Sequence, residues 1–174
     1  MRIIDGLLAE LEQEAETTRR VLERIPQEHL SWKPHSKSMS LGQLALHVAT
    51  VPGNVAEIAA VDTMADLPNF VQPEAATAAE LVPSLKESVA KAKRALGGFD
   101  DERMAAMWRL QSGGRDIMAM PRVAVVRTIM LNHWYHHRGQ LLVYLRLLNQ
   151  PVPSVYGPSA DENPFALEGV AAAR

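Results

Sequence analysis

The sequence predicts an all-α protein built as a four-helix bundle. Two observations carry the prediction. Four long segments place apolar residues at three- and four-residue spacing, and each is bounded by residues that start or stop helices. At 174 residues, 47% of them hydrophobic, the chain is long enough to close a core, and residues 1–174 are expected to form one domain.

The first segment runs from about Ile3 to Ile25, with Ile4, Leu7, Leu8, Leu11, Val21 and Leu22 on one stripe and Pro26 as its stop. QEHLSWKPHSKSM has no stripe and holds Pro34, so it reads as a loop. The second helix begins after Ser40, whose spacing to Gln43 is that of a capping box, and continues to about Val61 with Pro52 inside it. DTMADLPNFVQPEAA reads as a second loop. Thr77 and Glu80 repeat the capping-box spacing, and the third helix runs from there to Gly97-Gly98, with Pro83 in its first two turns. Residues 103–120 admit no single assignment; Ser112-Gly113-Gly114 suits a short hairpin with Trp108 and Leu110 on one arm and Ile117 on the other. The fourth helix starts at Pro121 as its first residue and ends near Asn149, before Pro151 and Pro153. The tail, residues 151–174, is rich in Pro, Gly and Ser and is expected to be irregular.

Composition narrows function. The net charge of −2 gives no electrostatic reason to bind nucleic acid or an anionic membrane. Acidic residues interrupt the N-terminal apolar run, and no stretch reaches the ~20 apolar residues of a membrane span, so a cytoplasmic location is expected. Cysteine is absent, which excludes disulfides, thiolate zinc sites, iron–sulfur clusters and a cysteine nucleophile. A transition-metal site in this chain must use His, Asp and Glu.

Of the six histidines, His29 and His35 fall in the first loop. The rest can be placed at roughly 100° per residue. With His133 at zero, His137 lies at about +40°, Val126 at about +20°, Ile129 at about −40° and Gln140 at about −20°. His133 and His137 therefore occupy the core-facing stripe, with His136 on the flank and Arg138 pointing elsewhere. His47 is likewise central to the stripe of Leu44, Val51, Ile58 and Val61. A lone histidine on an apolar face is ordinarily a hydrogen-bonded core residue. An i, i+4 pair among apolar neighbours leaves ring nitrogens that need partners, and a divalent cation supplies one to each ring. The zinc-protease pattern fails because no glutamate lies between His133 and His137, and the di-iron pattern fails because the fourth helix has no Asp or Glu. Three neutral nitrogens leave positions open on the metal, as in catalytic sites, and suit zinc, nickel, iron or copper. Ser40, Ser154 and Ser159 fit caps and turns better than nucleophiles, and Trp32, Trp108 and Trp134 are expected in the core or at an interface.

These residues form a recognisable pattern. NHWYHHRGQLLVYLR at Asn132–Arg146 resembles the last helix of the DinB superfamily, KSMSLGQLALHVATVPG at Lys37–Gly53 resembles its second helix, and VPSVYGPSADE at Val152–Glu162 resembles the tail that follows. The resemblance implies an up-down-down-up bundle, one divalent metal held by His47, His133 and His137, and a homodimer, for which Trp134 on the helix flank is a candidate contact. The superfamily includes metal-dependent thiol S-transferases, a maleylpyruvate isomerase, hydrolases and proteins with no assigned reaction, and its damage-inducible name carries no implication of DNA binding. The expectation is thus a metal-dependent transferase or hydrolase of small molecules. Its thiolate would come from a low-molecular-weight thiol, since the chain has none, and Arg138, Asp161 and Glu162 would contact the substrate. The alternative is a non-catalytic metal- or ligand-binding stress-response protein.

Overall fold

Four long helices form where the apolar period placed them, and a small sheet forms where no helical period exists. The computed structural model describes residues 1–65 and 71–166. Parts of the second expected loop (66–70) and of the tail (167–174) lie outside the described residues.

Helix α1 spans Ile3–Leu22 and buries Ile4, Leu7, Leu11, Val21 and Leu22. Helix α2 spans Leu41–Ala60, and its capping box is formed: Gln43 N donates to Ser40 Oγ at 3.1 Å, and Ser40 N donates to Gln43 Oε1 at 2.9 Å. A strand, β1 (Thr63–Ala65), follows inside the stretch expected to be loop. A 3-10 turn at Ala78–Glu80, held by Ala76 N donating to Glu80 Oε1 at 2.6 Å, leads into α3 (Leu81–Leu96). Pro83 is tolerated because first-turn amides have no intrahelical acceptor.

A short helix, α4 (Asp101–Ala105), is capped by Asp100, whose Oδ1 accepts from Arg103 N at 2.7 Å. Strands β2 (Met107–Ser112) and β3 (Arg115–Pro121) then form the hairpin. Gly113 and Gly114 turn it with φ of 55° and 75°, a double positive pair that matches strand twist and that glycine adopts without strain. Trp108 and Leu110 face inward at 2% and 7% exposure. Ile117 has no register partner, because the register shifts between Leu110 and Gln111, and it is exposed. The fourth long helix is continuous but not uniform: α5 (Arg122–Ala124), a π-helical segment (Val125–Asn132) and α6 (His133–Leu147). Pro121 is its N-cap and not its first residue.

The sheet order is β1-β2-β3, with β1 parallel to β2 and β2 antiparallel to β3. The chain is therefore mainly helical with a three-stranded sheet, a correction to the strict all-α bundle. Three residues of β1 are too short to show alternation, and they become a strand only because β2 offers them an edge. Helix α2 packs most extensively on α3 and also on α6, while α1 contacts the other three long helices. Arg122, fully buried, ties the sheet to this core. Its guanidinium donates to Ala59 O at 2.6 Å, Val61 O at 3.0 Å and Arg103 O at 3.0 Å, and to Asp62 Oδ1 at 2.7 Å. Those carbonyls include ones left open at the end of α2. Among the described residues, no helix is long and apolar enough to cross a membrane.

Candidate metal centre

Pro52 sets the position of the site. It has no N–H, so the Val48 carbonyl loses its i+4 donor in the interior of α2. Trp134 Nε1 donates to that carbonyl at 2.7 Å, and the indole is fully buried. The contact joins the residue after His47 to the residue after His133. The break is supported from a second side. Gly53 N donates to Ser88 Oγ at 2.8 Å, and Ser88 Oγ donates to Thr50 O at 3.1 Å. A Cβ on Gly53 would stand 2.8 Å from Ser88 O, so glycine is what lets α3 approach this closely. Trp134 thus covers the chain's own core and is not available as the dimer contact considered above.

Helices α2 and α6 then bring three imidazoles to one point. His47 Nε2 and His133 Nε2 are 3.1 Å apart, and one ligand nitrogen from each of His47, His133 and His137 lies within 4.8 Å of the others. Among the described residues no fourth His, Asp or Glu joins this group. His136 is exposed beside His137 and outside the cluster. His137 Nδ1 is 2.8 Å from Gln140 Oε1. An amide oxygen only accepts, so the proton sits on Nδ1 and the Nε2 lone pair is left for a metal. Burial pushes the His47 imidazole down to about 4, with help from neighbouring His137 and His133. His133 and His137 are also lowered, again chiefly by burial. All three rings are therefore neutral at pH 7, the form that binds a cation.

The three residues expected to contact substrate each have partners within the chain. Arg138 is 1% exposed and pairs with Glu14 at 2.6 Å, donates to Thr18 Oγ1 at 3.0 Å and to the Tyr156 hydroxyl at 2.6 Å, and lies over the rings of Tyr135 and Tyr156. Asp161 pairs with Arg146 at 2.5 Å and accepts from Val152 N. Glu162 pairs with Arg20 at 2.5 Å and accepts from Ser154 N at 2.6 Å. The irregular tail is thereby fastened to α1 and α6. None of the three residues lines the cavity of about 570 Å³ onto which His47 and His133 open. That cavity was not legible in the sequence, since β1, the hairpin and the π-helical segment all contribute to its wall.

The model described as DinB family matches residues 3–164. The chain belongs to the DinB family. A DinB-like protein from Bacillus cereus ATCC 10987 has a solved structure similar to this DinB-family chain, with a TM-score of 0.67 and 25% identity over 88% of this chain and 97% of that one. A DinB-like protein of Bacillus subtilis, YjoA, is similar with a TM-score of 0.64 and 20% identity, covering 86% and 97% of the two chains, and shares the fold. The uncharacterized protein YrdA of B. subtilis is 26% identical over 166 residues, 91% of each chain.

Proposed function

We propose that this DinB-family chain holds one divalent transition metal through His47, His133 and His137 and uses it as an enzyme acting on small molecules, of thiol S-transferase or hydrolase type. The observation that carries the reading is the convergence of three neutral imidazoles, with no fourth side-chain ligand among the described residues, two of them lining a cavity. The donor set fits the group: three nitrogens at close range, one of them oriented by Gln140. When bound, such a metal lowers the pKa of a coordinated water or thiol. The chain itself holds the three rings neutral by burial, sets the tautomer of His137, and presents no carboxylate on the described cavity wall to act as a base. Any thiolate would arrive with a low-molecular-weight cosubstrate, because the chain has no cysteine.

The test has two parts. Elemental analysis of protein purified without a nickel column should give close to one metal per chain. A chelator should lower the melting temperature by several degrees, since a ligand at a hundredfold excess over Kd adds about 2.7 kcal/mol to folded-state stability. His133→Ala should abolish both effects and His29→Ala neither. The loaded protein should then consume an electrophile in the presence of a small thiol, or hydrolyse it without one. Stoichiometric metal with neither activity would favour a non-catalytic metal-binding role. The homodimer implied by the resemblance is part of the proposal, and a sedimentation mass equal to one chain at high micromolar concentration would remove it.

A further inference from the structure

The cavity beside the triad has a chemistry of its own. Its wall is built largely from Val51, Val55, Ile58, Trp108, Leu110 and Ile129. Among the described residues its polar members are His47, His133 and the neutral side chains of Thr50, Asn54 and Gln72. Two polar atoms near it are already engaged: Trp108 Nε1 donates to Ile58 O at 2.9 Å, and Thr50 Oγ1 donates to Leu46 O at 2.8 Å. Among the described residues no Asp, Glu, Lys or Arg lines it. A charged group pushed along this wall would lose its hydration without gaining a partner, whereas apolar surface is stabilised there at roughly 25 cal/mol per Å². At about 570 Å³ the cavity lies within the ~300–1,000 Å³ range of small-molecule sites. Met64 and Met118 supply adaptable thioether surface to the same wall.

From the uncharged side chains that the described residues present to it, we infer that this cavity takes a small neutral molecule by an aryl or branched alkyl group, leaving the molecule's reactive end at His47 and His133. The assignment rests on the reading of the triad as the reactive centre, and its test separates the two. The full chain, freed of metal by chelation and dialysis, is titrated with the neutral dye N-phenyl-1-naphthylamine and with the related anionic dye 8-anilino-1-naphthalenesulfonate. Saturable one-to-one binding of the neutral dye is expected, with the sulfonate bound at least tenfold more weakly. Met118→Glu, at a position 39% exposed and so tolerant of charge, should weaken the neutral dye at least tenfold, and Met118→Leu should not. Ile58→Phe, which fills the cavity without adding charge, should also weaken it. Equal affinity for both dyes, or neutral-dye binding indifferent to both Met118→Glu and Ile58→Phe, overturns the assignment. Stoichiometric metal in the untreated protein without dye binding overturns the cavity assignment alone. Dye binding as expected in protein that takes up no metal supports the cavity and overturns the metal reading.

Discussion

The hydrogen bond from Trp134 to the Val48 carbonyl exists because Pro52 cannot make the helical one, so the two residues should be energetically coupled. Trp134→Phe keeps most of the ring and removes the N–H. The Val48 carbonyl is then left buried without its donor, which costs about 1–3 kcal/mol, and the smaller ring adds a packing loss. In a Pro52→Ala background, the amide of residue 52 can bond Val48 in the ordinary i to i−4 pattern. Trp134→Phe then costs only the packing loss. The expected coupling is about 1–2 kcal/mol, well above the ~0.3–0.5 kcal/mol scatter of independent sites. The four proteins of the cycle are unfolded in urea with chelator present, so that metal binding does not enter. Helicity by circular dichroism is the readout, since indole fluorescence changes with the mutation. A cost of Trp134→Phe that is the same in both backgrounds would refute the argument that the tryptophan replaces the proline's missing donor.

Three further outcomes are expected. Gln140→Leu should weaken metal binding by about 10–100-fold by releasing the His137 ring, with helicity unchanged; equilibrium competition against a chromogenic chelator measures it. In metal-free protein, His47 has a folded pKa of about 4 against ~6.5 unfolded. The unfolded chain takes up that proton first, so this contribution is present above pH 6.5 and is lost as pH falls toward 4. Melting curves should show a shallower acid loss for His47→Gln, and identical slopes would contradict the shift. Gly53→Ala should cost about 1–3 kcal/mol, because the nearest obstacles are backbone atoms of Ser88. Gly6→Ala, with nothing within 4 Å in α1, should be neutral or stabilising by up to about 1 kcal/mol, and calorimetry compares the two.

The helices and the metal-ligand candidates were legible because both follow from local rules. The i, i+3, i+4 spacing marks a face wherever it occurs, and capping at Ser40 and the Gly113-Gly114 turn are encoded within a few residues. The same local rules placed His47, His133 and His137 on interior faces. The helical wheel was less sound before His133, since Val125–Asn132 is π-helical and does not turn by 100° per residue. Asp100 before Asp101-Glu102-Arg103 was a readable cap for α4 that the ambiguity of the segment concealed.

Tertiary structure alone decided the rest, because the deciding partners are far apart in sequence. Strand β1 exists by pairing with residues 109–111. Arg138 is polar and exposed by composition, yet it is buried, because Glu14 and Thr18 on α1 face it across the helix contact and satisfy its charge. Asp161 and Glu162, candidates for substrate contact in sequence, tie down the tail through Arg146 and Arg20. The sequence by itself determined which residues could ligate a metal, since residue type and helical phase are local properties. Whether their nitrogens meet depended on tertiary contacts such as the one in which the Val48 carbonyl, left without a helical donor by Pro52, accepts from an indole 86 positions later.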